Sequence, residues 1–159
     1  MDLKHIEERI LKGEQIEEII EGLRWKEFEE LVLRILGKHE FRTWHNFRFK
    51  TKRMYEIDVL AVKDTTLLAI DCKDWGRGRY KNSSLRKAAL DQSTRAKELR
   101  RFLESNPIAC VRMKLDASQI NIIPLLVTRL EESLIEHENV LVIPIWKFNE
   151  FLLNLSNYI

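Results

Sequence analysis

The sequence predicts an α/β domain in which helices cover a mixed β-sheet. Two short, nearly continuous apolar runs at residues 57–62 and 67–72 are typical of inner strands that are covered on both faces. Amphipathic helical patterns lie before and after them, and two further apolar runs follow. The resulting order of helix, three strands, helix, strand, strand and helix indicates a sheet between layers of helices. A chain of 159 residues can bury one such core.

The two apolar runs and the residue directly after the second carry three charged side chains that a buried strand rarely contains. Residues 63–66 between the runs are polar and predict a hairpin turn. In that hairpin, Asp58 near the start of the first strand lies towards Asp71 and Lys73 at the end of the second. Asp71 and Lys73 share one face because they are two residues apart, whereas Cys72 points to the other face. Two carboxylates and an ammonium are therefore expected to converge.

Convergent carboxylates predict a cation site. Two carboxylates about 4 Å apart repel by roughly 4 kcal/mol at an effective dielectric of about 20, which favours a shared proton or a bound cation. Oxygen donors without a Cys/His cluster suit Mg²⁺ or Mn²⁺. Such a metal activates water and neutralises phosphoryl charge, and a neighbouring lysine can position the water. Phosphodiester hydrolysis is the first hypothesis, and a purely structural buried Asp–Lys ion pair is the alternative.

The spacing of these residues is that of a known nuclease motif. Asp58, twelve further residues and then Asp71-Cys72-Lys73 resemble the PD-(D/E)xK signature, without its leading proline and with aspartate in the second acidic place. The resemblance implies a restriction-endonuclease-like fold over residues 25–159 and a deoxyribonuclease that depends on Mg²⁺ or Mn²⁺. It places the metal on Asp58, Asp71 and the backbone carbonyl of Cys72. It gives Lys73 the role of orienting the attacking water.

A candidate helical acid lies upstream, at residues 25–36. Their apolar positions, Trp25 among them, form one stripe of a helix, with Glu29 beside the stripe and Glu30 in solvent. Gly37 is expected to end the helix. The pattern FExLV in this segment resembles the helix that opens Mrr-like restriction endonuclease domains. That resemblance assigns the helical acid of the site to Glu29, with Glu30 as the fallback.

A second supporting residue is predicted downstream. Residues 84–103 form a long helical pattern, and Gln92 occupies a gap in its apolar stripe. Similar domains carry a glutamine on the helix after the xK strand, so the resemblance gives Gln92 a role in supporting the site. The resemblance to this family extends over roughly residues 25–152.

The last third of the chain predicts two strands and a closing helix. The apolar run at 120–127 contains Pro124, which predicts an edge or bulged strand. Residues 139–145 predict a further strand, and residues 146–155 a helix with core positions that include Leu155. Residues 109–113 are expected to form a buried segment or a turn.

Basic residues surround the proposed site. Residues 42–101 contain 16 Lys and Arg against 7 Asp and Glu, although the whole chain has a net charge of only +2. This concentration favours an anionic polymer such as DNA, and the alternative is an ordinary solvated surface. Alternation through 44–53 predicts a first strand whose basic residues and His45 face outward, and residues 74–87 predict a loop that clamps DNA or is simply mobile. The residues predicted to contact DNA are Arg48, Lys50, Lys52, Arg53, Arg77, Arg79 and Lys81.

Residues 1–24 predict a helical extension with breaks at Gly13 and near Gly22. It either packs on the core or serves as a partner-binding or DNA-bending attachment. The two cysteines, Cys72 and Cys110, have no metal-ligand spacing and are expected to be reduced. Every hydrophobic stretch is interrupted by charge, so a soluble cytoplasmic protein is expected.

The predicted function is a Mg²⁺-dependent DNA endonuclease of the PD-(D/E)xK superfamily. We expect a homodimer, because two-fold symmetry is the simplest way for one-site subunits to cut both strands of a duplex. One alternative is a Holliday junction or repair nuclease that acts on branched or single-stranded DNA. Another is a relative that binds nucleic acid on the same fold without cutting it.

Overall fold

A mixed sheet forms the centre of the computed structural model, which describes residues 2–14, 16–75 and 81–158. Within those ranges the strands are β1 Arg42–Lys50, β2 Met54–Lys63, β3 Thr66–Lys73, β4 Asn121–Thr128, β5 Glu136–His137 and β6 Val140–Pro144. The helices are α1 Leu3–Leu11, α2 Glu17–Glu21, α3 Trp25–Lys38, α4 Lys81–Ser105, α5 Pro107–Met113 and α6 Ile145–Leu153, with a 3₁₀ turn at Leu155–Tyr158.

The order of the strands is β1-β2-β3-β4-β6-β5. β1, β2 and β3 form an antiparallel meander, β3, β4 and β6 are parallel, and β5 is antiparallel to β6. The predicted hairpin is present, with Lys63 opposite Thr66 and Asp64 in the left-handed region at a φ of 52°. The α/β fold class with a mixed sheet flanked by helices is therefore confirmed.

Helices cover both faces of this sheet. The apolar stripe of α3 packs with α1, α2 and α6 against one face, where Val59 and Ile70 are fully buried. On the other face α4 and α5 cover Leu60 and Leu67. This two-sided burial explains why β2 and β3 read as nearly continuous apolar runs.

The N-terminal helices belong to the first of these cores. Ile6 and Ile10 of α1 and Ile20 of α2 are buried in it. The buried carboxylate of Glu7 pairs with Arg34 of α3 at 2.6 Å, which compensates the cost of burying its charge. Helices α1 and α2 thus pack on the core, while the treatment of residues 1–24 as a separate extension stays a prediction.

The prediction that β4 is an edge or bulged strand is wrong. β4 lies between β3 and β6 in the interior of the sheet. The backbone N–H of Asn121 donates to Thr65, just before β3, and that of Arg129 donates to Lys73, so the N–H groups of odd-numbered residues face β3 and the nitrogen of Pro124 faces the β6 side. Pairing with β6 begins only at Leu125, and Pro124 therefore leaves no ladder hydrogen bond unmade.

Several predicted element ends also differ from the structure. α3 continues through Gly37 to Lys38, and Trp25 at its start is 40% exposed rather than part of the buried stripe.

The segment predicted at 109–113 as a buried segment or a turn belongs to α5, a helix with Asn106 as its N-cap and Pro107 in its first turn. β5 was not predicted because two residues carry no periodic signal. Leu155 packs only partly against the core.

The described helices include none long and apolar enough to cross a membrane. Cys72 and Cys110 are both buried free thiols, as expected from their spacing.

Candidate functional site

The site lies where β2 and β3 separate. The last backbone pair is Val59 opposite Ile70. Asp58 and Asp71 are the next residue on each strand, just beyond this pair. The backbone N–H of Cys72 donates instead to Oδ2 of Asp58, at 2.9 Å. Where the ladder opens, the side-chain carboxylate of Asp58 therefore replaces a backbone carbonyl as the acceptor of this hydrogen bond.

The alternation of β2 shifts by one residue at Asp58. Leu60 and Ile57 are three residues apart, yet both pack in the core beneath α4. In β1 a matching break lies at Asn46, which has a φ of 52° and falls between the two residues paired with Val59 and Ile57. Unbroken alternation through 44–53, as predicted, is therefore wrong. A residue type that tolerates the left-handed region was the only sequence signal of this break.

Asp58 and Asp71 form a carboxylate pair. Burial, the neighbouring Asp71 carboxylate and, to a smaller extent, Glu29 together raise the pKa of Asp58 to about 7. The hydrogen bond from Cys72 opposes this shift without cancelling it. Asp71 is only 6% exposed. The pair is therefore poised near neutral pH between holding a proton and holding a cation.

Lys73 completes the predicted cluster. Its Nζ lies 2.8 Å from Oδ2 of Asp71 and 5.4 Å from the ring centre of Trp75. The ammonium thus sits between a carboxylate and an aromatic face, both of which favour a cation. Asp58, Asp71 and Lys73 meet as the sequence predicted.

Cys72 can reach this site only through its backbone. Its side chain lies in the core on the opposite face, and burial together with the nearby carboxylates raises the pKa of its thiol. In a strand the N–H and C=O of one residue point to the same side. Because the N–H of Cys72 points to Asp58, its carbonyl points to that side as well.

The predicted helical acid, Glu29, and the predicted glutamine, Gln92, make different contacts around the site. Glu29 is buried on α3 and its Oε2 lies 2.8 Å from Nε2 of His45. Gln92 is fully buried and donates Nε2 to the backbone oxygen of Ala69, at 2.8 Å, so it fixes β3 from the α4 side. His45 was not predicted as a site residue. His45 lies before the break at Asn46, and its side chain faces α3 and reaches Glu29. Unbroken alternation with Phe47 and Phe49 would have turned it to the α4 face instead.

The residues present fit a hard divalent ion. Asp58 and Asp71 could supply carboxylate oxygens and the Cys72 carbonyl a neutral one, which together would suit a Mg²⁺ site that keeps several waters. Oδ2 of Asp71 is buried and accepts no hydrogen bond of normal geometry. Across the described residues, no three His, Cys, Asp or Glu side chains are grouped as ligands of one ion. Glu29 therefore stands outside the carboxylate pair.

Comparison with known proteins decides the family. Residues 24–143 match the family model described as Nuclease-related domain, NERD. The chain belongs to the nuclease-related domain family. An uncharacterized protein of Archaeoglobus fulgidus is 33% identical over 138 residues, which are 86% of this chain and 95% of that protein.

One solved structure shares the fold of this nuclease-related domain. The small subunit of the heterodimeric restriction endonuclease R.BspD6I matches with a TM-score of 0.51 at 14% identity, over 95% of this chain and 79% of that one. A crystal structure of a protein of unknown function matches with a TM-score of 0.46 at 18% identity, over 81% and 65%. The restriction-endonuclease-like, PD-(D/E)xK type of fold is confirmed by the family match and the first of these likenesses.

Four of the seven predicted DNA contacts of the nuclease-related domain lie on the hairpin of β1 and β2. β1 and β2 stay paired as far as Lys50 and Met54, whereas β3 pairs with β2 only from Val59 onward. We call residues 47–57 the basic arm; it ends one residue before Asp58. Of the predicted contacts, Arg48 pairs with Glu56 at 2.6 Å, Lys52 lies 3.8 Å from Glu98, Arg53 lies over Tyr55, and Lys50 is exposed. Arg77 and Arg79 lie outside the described residues, and Lys81 is described only as the first residue of α4.

The tip of the basic arm is fastened to α4. Thr51 donates its hydroxyl to the buried carboxylate of Glu98 at 2.5 Å, and Arg101 donates to the same carboxylate at 2.8 Å. These bonds hold the pKa of Glu98 below its usual range. Phe49 packs on Phe102 with ring centres 5.4 Å apart. The arm is therefore a braced projection beside the carboxylate pair.

Proposed function

We propose that this nuclease-related domain is a metal-dependent endonuclease that hydrolyses DNA phosphodiester bonds. The observation that carries the proposal is the convergence of Asp58, Asp71 and Lys73 at the open end of the β2–β3 ladder, with the pKa of Asp58 near neutral. A pair of partly buried carboxylates beside a lysine destabilises an apo protein, and a bound divalent cation offsets that cost. A phosphodiester is the anionic substrate that such a cation can activate.

Each residue has a distinct role in this proposal. Asp58, Asp71 and the Cys72 carbonyl would hold Mg²⁺ or Mn²⁺, which, when bound, lowers the pKa of water and neutralises phosphoryl charge. Lys73 orients the attacking water and stabilises charge that develops on the phosphoryl oxygens.

The supporting residues act from the two helical layers. Glu29, held by His45, adds negative charge on the α3 side of the site. Gln92 fixes the backbone of β3 two residues before Asp71 from the α4 side. A cation at the site would therefore meet a donor set held in place from both faces of the sheet.

The basic arm is the proposed binding surface for the DNA backbone. It projects next to Asp58, is braced by Glu98 and carries several cations, so a duplex along it would bring a phosphate to the site. We further propose a homodimer in which two such sites act on opposite strands. Mass determination of the DNA complex by light scattering tests this, and a single subunit per duplex would contradict it.

A non-catalytic DNA-binding function is the second candidate. Two observations favour it. No third His, Cys, Asp or Glu side chain among the described residues joins the carboxylate pair, and the carboxylate of Glu29 is already paired with His45. The two candidates differ in whether product forms.

The first test is incubation with linear, supercoiled, single-stranded and four-way-junction DNA in Mg²⁺, Mn²⁺ or EDTA. We expect metal-dependent cutting that Asp71→Asn abolishes, because this substitution removes a charged oxygen donor while keeping the size of the side chain. Asp91→Asn is the matched control, since Asp91 pairs with Lys87 on the exposed side of α4. Binding without cutting under every condition would leave the second candidate.

Lys50→Ala is expected to weaken DNA binding several-fold and to lower the slope of log Kd against log salt by about one, as the loss of one phosphate contact does. Fluorescence anisotropy at several salt concentrations measures both quantities. Lys4→Ala, an exposed lysine on α1, is the control and should leave the slope unchanged. Equal slopes for the two variants would place the DNA elsewhere.

A further inference from the structure

Arg129, the first residue after β4, is a buried arginine that the sequence did not mark as functional. It is 5% exposed, and its guanidinium lies 5.7 Å from the ring centre of Phe28. Its Nη atoms donate to backbone oxygens at the C-terminal end of α2 and just beyond, and its Nε forms an ion pair with Asp74. The acceptors are the oxygens of Ile20 at 2.6 Å, Glu21 at 2.7 Å and Leu23 at 2.5 Å, and the carboxylate of Asp74.

This arrangement uses properties that only arginine has. The guanidinium is planar, always charged and able to donate in several directions at once. Burying such a charge is costly unless its donors find acceptors, and here a carboxylate balances the charge while backbone carbonyls at the end of α2 and just beyond accept three Nη hydrogen bonds. Lysine at this position could not span the carbonyls and the carboxylate together.

Two of the three segments that Arg129 joins carry residues of the proposed site. Asp74 directly follows Lys73, and Phe28 directly precedes Glu29. The backbone N–H of Arg129 also donates to the carbonyl of Lys73, at 3.3 Å. One residue thus fixes the end of the site strand, the first turns of α3 and the segment after α2.

We propose that Arg129 is a positioning residue, which sets the place of Lys73 through Asp74 and makes the α2 segment part of the support of the site. This inference rests on the proposed nuclease function and adds to it a role for residues 16–24. Arg129 touches neither the carboxylate pair nor, in this proposal, the DNA. A displacement of about 1 Å in a catalytic group can reduce turnover on the order of 100-fold, so loss of this support should be visible.

The test compares Arg129→Lys and Asp74→Asn with Arg100→Lys. Arg100 is a matched control, since its Nη atoms also donate to two backbone oxygens, those of Ala117 and Ile120, on the far part of α4. Two readouts are taken from each folded protein. One is kcat and KM for DNA cleavage, and the other is the NMR spectrum after reductive ¹³C-methylation of lysines, with Lys73 assigned by its loss in Lys73→Arg.

We expect Asp74→Asn and Arg129→Lys to lower kcat on the order of 10-fold or more with KM within 2-fold, and to shift the Lys73 methyl resonance. Arg100→Lys should change neither. A Lys73 resonance in Asp74→Asn that matches the wild-type protein overturns the proposal, whatever happens to kcat. If the wild-type protein cuts no DNA, the proposed nuclease function fails, but the resonance still decides this inference. Should Arg129→Lys not fold, Asp74→Asn decides, since it keeps all three backbone acceptors of Arg129.

Discussion

Lys73→Met is expected to lower kcat for DNA cleavage by about 100- to 1000-fold, the usual effect of removing one preorganised charge from a developing oxyanion. The ammonium lies 2.8 Å from Asp71 and beside the open ladder, where an attacking water and a phosphoryl oxygen would meet. Methionine keeps the length and most of the packing against Trp75 while removing the charge. Single-turnover cleavage at saturating enzyme measures the effect without the step of DNA binding.

The control for this prediction is Lys147→Met. Lys147 also forms a lysine–carboxylate pair, with Glu131, but it lies on α6 and is not among the proposed site residues. This variant should cleave at the wild-type rate. Mn²⁺ binding, measured by calorimetry, should persist in Lys73→Met because both carboxylates remain. A Lys73→Met protein that cuts DNA within 3-fold of the wild-type rate would show that Lys73 serves only as the structural partner of Asp71.

The parts of the fold that the sequence predicted are those with strong periodicity. The hairpin of β2 and β3 followed from two apolar runs around a polar turn, and α3 and α4 from long amphipathic patterns. Pro124 misled because the cost of a proline depends on which neighbour its nitrogen faces, and that is a property of the whole sheet. The C-terminal ends of α3 and α6 differ from the predicted ends by two residues each, as expected where caps decide.

The part of the site that could be predicted is the part whose residues are close together along the chain. Asp58, Asp71 and Lys73 converge because a hairpin dictates it, and this needed no knowledge of the rest of the chain. The contacts of His45 with Glu29 and of Arg129 with Asp74 join segments far apart in sequence. Nothing local marks such contacts, and only the break at Asn46 hinted at the first.

Asp58→Asn is expected to stabilise the metal-free protein at pH 8 by about 2–4 kcal/mol. In the folded state the pKa of Asp58 is raised to about 7, above its ordinary value of 3.8. Between these values the folded protein holds a proton that the unfolded chain has lost, so the free energy of unfolding falls as pH rises through that window. At about 1.36 kcal/mol per pKa unit the loss would be a little over 4 kcal/mol, and solvent screening at this incompletely buried group reduces it.

Asparagine cannot ionise, yet its oxygen can still accept from the Cys72 N–H, so the substitution removes the charge and keeps the hydrogen bond. Urea denaturation in EDTA at pH 5 and pH 8 measures the difference, and the wild-type protein should lose stability between the two pH values by more than Asp58→Asn does. Asp64→Asn is the matched control, because Asp64 lies in the turn at the other end of β2 and asparagine tolerates its left-handed φ. Mg²⁺ at pH 8 should stabilise the wild-type protein and leave Asp58→Asn nearly unchanged, since a cation can offset only a repulsion that exists. Parallel pH profiles for the wild-type protein and Asp58→Asn would mean that the carboxylate pair shares no proton, and the argument for a cation between them would then fail.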